Sequence, residues 1–324
     1  MNKLVSVVGV LVVSLVGCGT DSATNDGPEV LPNLMVPAPP EHGIQVITPI
    51  VRGLEPGSDH EICTWTDAVL TDGVIDVKST TGYQTEPGHH IVVYYTTEPQ
   101  PAGTQRECTD TDMVSFRIVT GNGKEGEPYE APGNLVYRIP KGAQIVINHH
   151  YLNATDEVMD GQSAVNINFA ADGGEHIPSG ATAFLNSGLT VDVGVTTQKQ
   201  HCVVDREMKL WFMVPHMHRW GSHIAVDLTR GATGANPGDP GQKTSLFDTV
   251  WDESYTFHPP EKRMDLNAPL VLHPGDEVDT TCTWNNDTGR PLNFGFEMCV
   301  TFGQFIDDKN LGSWACDNGQ WTDF

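Results

Sequence analysis

Residues 140 to 153 read Pro-Lys-Gly-Ala-Gln-Ile-Val-Ile-Asn-His-His-Tyr-Leu-Asn, and residues 274 to 286 read Pro-Gly-Asp-Glu-Val-Asp-Thr-Thr-Cys-Thr-Trp-Asn-Asn. Each run opens on a turn containing proline and glycine, and each closes on an aromatic residue with asparagine two positions later. The residues between turn and aromatic include several β-branched side chains, which is typical of a strand. The repeated outline predicts two related halves built from β-strands.

The same pattern continues outward from these two runs. The chain has 33 glycines and 22 prolines, its apolar stretches are short, and apolar-polar alternation recurs while helical periodicity is scarce. These features indicate an all-β protein. Many short strands between Gly, Pro and Asp turns favour two tandem antiparallel β-sandwich domains of a jelly-roll-like type. The predicted strands are Gly43 to Arg52, Ile91 to Thr97, Met113 to Thr120, Gly133 to Ile139, Gln144 to Tyr151, Ala164 to Phe169, Lys209 to Val214, His223 to Leu228, Glu277 to Trp284 and Asn293 to Phe302.

The amino terminus has the pattern of a bacterial lipoprotein signal peptide. Lys3 precedes a mostly apolar run from Leu4 to Val16, and Leu-Val-Gly-Cys18 follows. The run is shorter than the roughly 20 apolar residues of a membrane-spanning helix, so we expect cleavage before Cys18 and lipidation of that cysteine. Gly19 instead of aspartate favours the outer membrane of the cell envelope, facing the periplasm or the cell exterior.

Three segments follow the signal peptide, which occupies residues 1–17. Residues 18–42 contain a proline cluster and no apolar period, which predicts a flexible tether that contributes nothing to the fold. The rest of the chain suits two domains of ordinary size. We place an N-terminal sandwich over residues 43–178 and a C-terminal one over 179–324, with the boundary near Ser179 in the Gly-rich stretch from Asp172 to Gly180.

The charge and the cysteine content argue against nucleic-acid binding and against cysteine-ligated metal sites. The chain has 42 acidic and 18 basic residues, a net charge of −24 and no basic cluster, so nucleic acid would be repelled. Seven cysteines leave an even number after Cys18, which in an exported chain predicts three disulfides. No CxxC pair occurs, so thiolate zinc sites and iron-sulfur clusters are not indicated. Spacing alone leaves the disulfide pairing open.

The chain has 13 histidines, and the most informative of them stand in the segment Pro215-His216-Met217-His218. It directly follows an apolar strand. In an extended chain residues i and i+2 face the same way, so both imidazoles can reach one metal ion. The competing interpretation is a pair of ordinary surface histidines, and for an isolated motif the two are evenly matched. Two further histidine pairs favour the metal.

Those pairs are His89 with His90, after a Pro-Gly turn, and His149 with His150, inside a strand. Adjacent side chains of a regular strand point to opposite faces. His89 and His90 can therefore share a metal only if the pleat is broken, which the Pro-Gly pair favours. Of His149 and His150, only one should face a metal, and the other should be packed or solvated.

Met298, beside Cys299, is by its own surroundings core filler rather than a ligand. Next to an HxH pair, however, a thioether makes a soft site that favours Cu(I) over zinc. No serine hydrolase, zinc protease, nucleotide or NAD motif occurs in the sequence. Seven other histidines have no partner at ligand spacing and are predicted non-ligands, the first two being held in reserve: His60, His223, His42, His176, His201, His258 and His273.

Four segments resemble, in their order, the copper type II ascorbate-dependent monooxygenases, the group of peptidylglycine α-hydroxylating monooxygenase and dopamine β-hydroxylase. The similarity covers nearly all of the chain from residue 43 to 324. The segments are Gly88-His-His-Ile-Val-Val93, Ile147-Asn-His-His-Tyr151, His216-Met-His218 and Glu297-Met-Cys-Val300.

This resemblance implies two mononuclear copper sites. It assigns one copper to His89, His90 and His150, and so selects His150 over His149. It assigns a second copper to His216, His218 and Met298, which are then the catalytic residues. The same template implies three disulfides: Cys63 with Cys108, Cys202 with Cys316, and Cys282 with Cys299.

The resemblance also implies the chemistry. The second copper activates dioxygen, and the first stores and delivers an electron, so that an aliphatic C–H bond of a small molecule is hydroxylated. An external reductant such as ascorbate supplies two electrons. Peptide-amidating members bind a carboxylate with Arg, Asn and Tyr at positions where this chain has Val214, Val300 and Phe302. An apolar or neutral substrate is therefore expected.

Two rival interpretations use the same residues. One is a non-catalytic lipoprotein that sequesters or relays copper through the same ligands. The other is a structural sandwich lipoprotein whose histidines are incidental. Coupled oxygen uptake separates the first rival from an oxygenase, and retention of copper after dialysis separates the second.

Overall fold

The computed structural model describes residues 29–70, 73–109, 112, 115–123, 125–232, 240–256 and 258–323. The predicted all-β class is confirmed: the described chain consists of short, mostly antiparallel strands with one 3-10 helix at Glu253–Thr256. Among the described residues no helix is long and apolar enough to cross a membrane. The signal peptide and Cys18 lie outside the described residues.

The strands fall into two consecutive groups, called the N-terminal half and the C-terminal half. The N-terminal half contains β1 Gly43–Ile47, β2 Val51–Leu54, β3 Asp59–Val69, β4 Ile75–Gln84, β5 Gly88–Thr96, β6 Gln105–Glu107, β7 Arg117–Gly123, β8 Glu125–Glu130, β9 Leu135–Ile139, β10 Gln144–Leu152, β11 Met159–Gly161 and β12 Ser163–Phe169. The C-terminal half contains β13 Ile177–Leu185, β14 Thr190–Val191, β15 Gly194–Val203, β16 Met208–His216, β17 Gly221–Thr229, β18 Lys243–Val250, β19 Lys262–Arg263, β20 Leu270–Leu272, β21 Glu277–Asn286, β22 Leu292–Asn293, β23 Val300–Ile306, β24 Trp314–Asp317 and β25 Gln320–Asp323.

Each half has two main sheets and one two-stranded sheet, which is β2-β11 in the N-terminal half and β14-β22 in the C-terminal half. The main sheets of the N-terminal half are β6-β3-β10-β5-β7 and β1-β12-β4-β9 with β8 on β4. In the C-terminal half they are β15-β21-β17-β18 and β13-β23-β16-β19, with β20, β24 and β25 at its margins. A short parallel pairing of β9 with β13 joins one sheet of each half into a continuous sheet.

The two runs noted in the sequence become the central strands β10 and β21, and the asparagines that close them are used in the same way. Each side-chain amide donates to carbonyls of an earlier short strand and of the residue four positions on, while its oxygen accepts from the threonine two positions on. The partners are Leu54, Glu157 and Thr155 for Asn153, and Val191, Asp192, Arg290 and Thr288 for Asn286. The halves thus repeat a local motif, while the exact domain boundaries stay a prediction.

Several strand predictions differ from the structure. The predicted strand Gly43 to Arg52 is two strands, β1 and β2, and Asn293 to Phe302 is interrupted by a loop between β22 and β23. β7 starts at Arg117, and residues 113 and 114 of the predicted strand lie outside the described part. Ser179, the predicted boundary, lies inside β13; the strand-free connection between the halves is residues 170–176.

The segment before β1 differs from the predicted free tether over residues 29–42. It has no strand before Gly43, but Leu34 is buried. The Leu31 amide donates to the Gln162 side chain at 2.8 Å, and Glu29 pairs with Arg52 at 3.0 Å. The expectation that the whole segment contributes nothing to the fold is therefore wrong for these residues.

The three disulfides implied by the resemblance are confirmed. They link Cys63 with Cys108, Cys202 with Cys316, and Cys282 with Cys299. The last bond ties β21 to the residue directly after Met298, so it fixes the loop before β23 against the opposite sheet.

Strand β16 brings the two halves together. Successive strand residues point to opposite faces. Met213 belongs to the core of the C-terminal half, whereas Phe212 is buried in the core cluster of the N-terminal half and Val214 packs against that cluster. One face of β16 is therefore turned toward the N-terminal half, and His216 lies two residues beyond Val214 on that face.

Candidate metal centre

A β-bulge brings His89 and His90 to one side of the sheet. His150 pairs with His90, but the next residue on β10, Tyr151, pairs with Gly88, so His89 is the extra residue. A bulge breaks the alternation of side chains and redirects the inserted one. The break in the strand pleat that was predicted here is present. Because of it, the adjacent side chains of His89 and His90 need not point to opposite faces, and both can reach one ion.

His89, His90 and His150 form a compact group, called here the three-histidine group. One ring nitrogen from each lies within 4.8 Å of the other two. The Nδ1 atoms of His89 and His90 are 3.2 Å apart, close to the roughly 3.3 Å expected between two ligands at about 2.0 Å from a tetrahedral ion. The ring centroids are 4.9 to 5.5 Å apart. Three imidazole nitrogens gathered in this way could hold a metal ion, and imidazole is a ligand that suits both copper and zinc.

Asp59 orients the buried member of this group. His150 Nε2 lies 2.5 Å from the Asp59 carboxylate, and this hydrogen bond is the main cause that lowers the pKa of Asp59. A carboxylate on one ring nitrogen fixes the tautomer and leaves the other nitrogen for a metal. His150 is thus arranged to offer Nδ1 to the group.

His149 is used differently. Its side chain is fully buried, and its two nitrogens lie 2.8 Å from the hydroxyls of Thr64 and Tyr151. Burial lowers the pKa of His149 to about 3, so the ring is neutral. The structure brings His150, and not His149, to the three-histidine group. This agrees with the expectation that only one of two adjacent strand residues can face a metal.

Glycine at position 88 is needed for the bulge. A Cβ at Gly88 would meet Gln84 Cβ at 2.2 Å and the Thr85 carbonyl oxygen at 2.9 Å. We expect Gly88→Ala to push β5 off β4, to destabilise the protein by about 1–3 kcal/mol, and to weaken copper binding by the three-histidine group. Copper titration and thermal unfolding measure the two effects. Gly121→Ala on the neighbouring β7, where a Cβ has open space, is the control and should leave copper affinity unchanged.

The second group forms where β16 ends. The rings of His216 and His218 are 5.0 Å apart and nearly perpendicular, while Met217 between them is buried in the core of the C-terminal half. Burial, with a smaller contribution from His218, lowers the pKa of His216 to about 3. Since metal ligation needs a neutral imidazole, His216 is already in the binding form at neutral pH.

The tautomer of His218 is set by the loop that carries Met298. His218 Nδ1 lies 3.2 Å from the Phe296 carbonyl oxygen and donates to it. The ring's Nε2 is then left as the nitrogen with a free lone pair. His218 Nε2 is therefore the ring nitrogen that can bind a metal ion.

The backbone of Met298 is held close to the His216–His218 pair by a shared hydrogen-bond acceptor. The amides of His218 and Met298 donate to the same carboxylate oxygen, Glu297 Oε2, at 3.2 and 3.1 Å. The Met298 side chain is partly buried and packs against a small cluster of Ala183, Val300 and Ala315. The structure thus brings together the two segments named for the second site, His216–His218 and Glu297–Val300. That the Met298 sulfur is a ligand stays a prediction.

The sequence reasoning missed two residues that support these groups, Asp59 at the first and Glu297 at the second. Glu297 has the larger set of contacts. It is fully buried and accepts four hydrogen bonds, from the backbone amides of His218, Trp220 and Met298 and from the Trp284 indole. Its signal in the sequence is an acid inside the apolar run Phe-Glu-Met-Cys-Val. A charged residue in such a place is almost never buried without partners.

The two histidine groups belong to different halves of the chain. His216 lies on the face of β16 whose preceding residues pack on the N-terminal half. Burial lowers the pKa of His90 well below its ordinary value, and charge on His150, His89, His216 and His258 lowers it further. His216 is therefore within electrostatic range of the three-histidine group across the boundary between the halves.

Among the histidines predicted as non-ligands, His258 alone of the described ones approaches a group. Its ring centroid is 6.5 Å from that of His89, and it does not belong to the three-histidine group. The two held in reserve are paired with acids, His60 with Glu107 and His223 with Asp248. The structure gives neither of them a place at either group.

Val214, Val300 and Phe302, where the resemblance predicts an apolar wall, lie next to one another, and Val300 is buried. Val214 is directly opposite Phe302 in the β16–β23 register, and His216 is opposite Val300. The Phe302 ring lies 6.0 Å from the His216 ring and is 37% exposed. Val214 and Phe302 therefore lie side by side next to His216.

Comparisons with known proteins add no functional information. Neither a protein-family model nor a curated protein matches the chain. Among solved structures, the T=1 particle of Penaeus vannamei nodavirus matches at 9% identity and TM-score 0.17, over 77% of this chain and 84% of that one. Infectious bursal disease virus, Gt strain, matches at 9% identity and TM-score 0.18, over 86% and 75%. Likenesses at these TM-scores carry no argument.

Proposed function

We propose that this protein is a copper-dependent monooxygenase that hydroxylates an aliphatic C–H bond of a small apolar or neutral substrate. The overall reaction consumes substrate, dioxygen, two electrons and two protons, and it releases the alcohol and water. The electrons come from an external one-electron reductant such as ascorbate. The observation that supports the proposal is that the structure gathers His89, His90 and His150 into one group and brings the Met298 loop beside the His216–His218 pair.

The donor sets suit copper in two different roles. Three imidazoles make a closed, nitrogen-only set, whereas two imidazoles and a thioether make a softer set that stabilises the reduced ion. Copper bound to these sets would supply dioxygen activation at the second group and electron storage at the first. Zinc would fit three imidazoles equally well, so it is the thioether that distinguishes the copper proposal.

The protein's own residues prepare both groups. Asp59 holds the His150 ring and the Phe296 carbonyl holds the His218 ring, each by one nitrogen. Burial keeps His90 and His216 in the neutral form that a metal requires. No proton has to leave either of these two imidazoles before copper binds at neutral pH.

The substrate is expected to lie against Val214 and Phe302, which stand beside the buried Val300. An apolar pocket wall excludes water and favours a molecule without charge. A free carboxylate on the substrate would find no basic partner on this surface, so peptide substrates of the amidating type are disfavoured. This part of the proposal defines a substrate class and no individual compound.

Oxygen uptake by the copper-loaded, ascorbate-reduced protein across a panel of small substrates tests the proposal. We expect uptake above the ascorbate background only with neutral apolar compounds, with one alcohol formed for each dioxygen consumed. Product is identified by mass spectrometry with labelled dioxygen, which must appear in the hydroxyl group.

The same experiment separates the rivals. A sequestration or relay protein retains copper at both groups and never couples uptake to product. A structural sandwich with incidental histidines retains no stoichiometric copper after dialysis. Either result would overturn the oxygenase proposal, and the second would remove the copper sites as well.

The predicted lipid at Cys18 places this activity at a membrane surface of the bacterial envelope. The electron donor and the substrate would then have to reach the protein there. Mass analysis of the amino-terminal peptide from cells tests the anchor independently of the copper chemistry.

A further inference from the structure

Glu297 connects two chain segments that the proposed second copper site needs at a fixed separation. Its Oε2 accepts from the His218 and Met298 amides and from Trp284 Nε1, at 3.2, 3.1 and 2.9 Å. Its Oε1 accepts from the Trp220 amide at 2.7 Å. One carboxylate therefore holds the turn after β16 and the loop before β23 together.

The nature of this contact is unusual for a buried acid. The side chain is 0% exposed, and no lysine, arginine or histidine is paired with it among the described residues. By contrast Asp276, also 0% exposed, is paired with Arg230 at 2.7 Å. An ionised carboxylate is an acceptor only, and bonds from N–H groups to it are stronger than those to a neutral oxygen.

The hydrogen bond from Trp284 connects Glu297 to the central strand β21. Trp284 lies on β21, two residues after Cys282, which is bonded to Cys299. The carboxylate and the disulfide thus fix the Met298 loop from both sides, to the histidine turn and to the central strand. A ligand shell held by such supporting contacts keeps its geometry without the metal.

We propose that Glu297 is a positioning residue that sets the distance between His218 and Met298 before copper binds. The inference rests on the proposed function only in taking Met298 and the His216–His218 pair as ligands of one copper. The positioning itself is a property of the metal-free protein. Removal of the carboxylate should release the Met298 loop from the histidine turn, so that imidazoles can still bind copper while the thioether cannot.

The test compares Glu297→Ala with Glu297→Gln in the full-length protein. The glutamine oxygen can take the place of Oε2 and retain the contacts to His218, Met298 and Trp284, leaving only the Trp220 amide without an acceptor. Alanine removes all four acceptor contacts. Two readouts are used: amide hydrogen exchange of the metal-free protein, and X-ray absorption of the copper-loaded reduced protein, in which sulfur and nitrogen ligands are distinguished.

For Glu297→Ala we expect exchange of the His218, Trp220 and Met298 amides to accelerate by at least about tenfold, and the copper-sulfur signal to disappear. For Glu297→Gln we expect acceleration at Trp220 alone and retention of the sulfur signal. Asp276→Ala is the control, because Asp276 is equally buried and also accepts from two backbone segments, at Gly231 and His273. It lies at the opposite end of β21 and should leave the sulfur signal intact despite a loss of stability.

The outcomes are distinct. A sulfur signal that survives in Glu297→Ala, or slow exchange of its three amides, overturns the positioning role. If the alanine variant does not fold, the glutamine variant decides: acceleration at Trp220 alone supports the role, and equal acceleration at His218 and Met298 overturns it. A wild-type protein with no copper-sulfur signal contradicts the proposed second copper site, and the exchange data on the metal-free protein still test the positioning.

Discussion

Met298→Ala is expected to abolish hydroxylation while both histidine groups still bind copper. The thioether is the softest of the three proposed ligands of the second copper and the one that favours its reduced form. Without it the ion keeps two imidazoles but loses its geometry, and misplacement of a reacting group by about 1 Å already costs about 100-fold in rate. Steady-state oxygen uptake and copper stoichiometry after dialysis measure the two parts of the prediction.

Two further substitutions separate ligation from packing at Met298. Met298→Leu keeps the volume against Ala183 and Val300, so it should cost less than about 1.5 kcal/mol of stability and still abolish turnover. Met213→Leu is the matched control, since Met213 is a fully buried methionine on β16 in the core of the C-terminal half. It should retain both stability and turnover. Unchanged turnover in Met298→Ala would remove the assignment of this residue to the oxygen-activating site.

The all-β class could be predicted from the sequence because it depends on local properties. Short β-branched runs and turn residues indicate strands wherever they occur. Several strands were missed, among them β3, β13 and β18. Two of the missed strands have another composition: β15, Gly194–Val203, alternates mostly exposed polar residues with partly buried ones, and β4, Ile75–Gln84, is rich in Ser and Thr. Their strand conformation comes from pairing with β21 and β12, and a single sequence does not display its pairing partners.

The members of the three-histidine group could be predicted from the sequence, and the residues that support them could not. Alternation along β10 required that one of His149 and His150 leave the group, and the family resemblance chose which. The structure supplies the reason, since His149 lies between Thr64 and Tyr151 hydroxyls. Asp59 and Glu297 were not found because each acts through a contact between segments far apart in the chain, Asp59 on β3 with His150 on β10 and Glu297 with the turn after β16.

The apolar surface beside His216 illustrates the limit of motif comparison. The sequence showed only that three family positions were changed. The β16–β23 register shows that these changes are adjacent: Val214 opposite Phe302, and Val300 opposite His216. They therefore alter one continuous surface, which is a stronger reason to expect a different substrate class than three separate substitutions would be.

His150→Ala is expected to weaken copper binding by the three-histidine group by more than about 100-fold, since even changes in residues that support a ligand cost about 10–100-fold. The measurement is a Cu(I) chelator competition in a His216→Ala background, which removes the second group from the titration. His150→Ala should also release Asp59 from its hydrogen bond, so the Asp59 carboxyl should return toward its ordinary pKa.

His149→Ala is the matched comparison. It should reduce stability strongly and leave copper affinity nearly unchanged. It leaves Thr64, Tyr151 and Ser163 hydroxyls without their imidazole partner in the interior, at a cost of about 2–4 kcal/mol in unfolding free energy. Copper affinity of the folded protein should change by less than about threefold, because both nitrogens of His149 are engaged away from the group. The two variants would thus show that, of two adjacent histidines on β10, His150 is a ligand and His149 is a structural residue. Strong loss of copper in His149→Ala with retention in His150→Ala would mean that β10 presents the other face to the metal, and the assignment of the first site would be wrong.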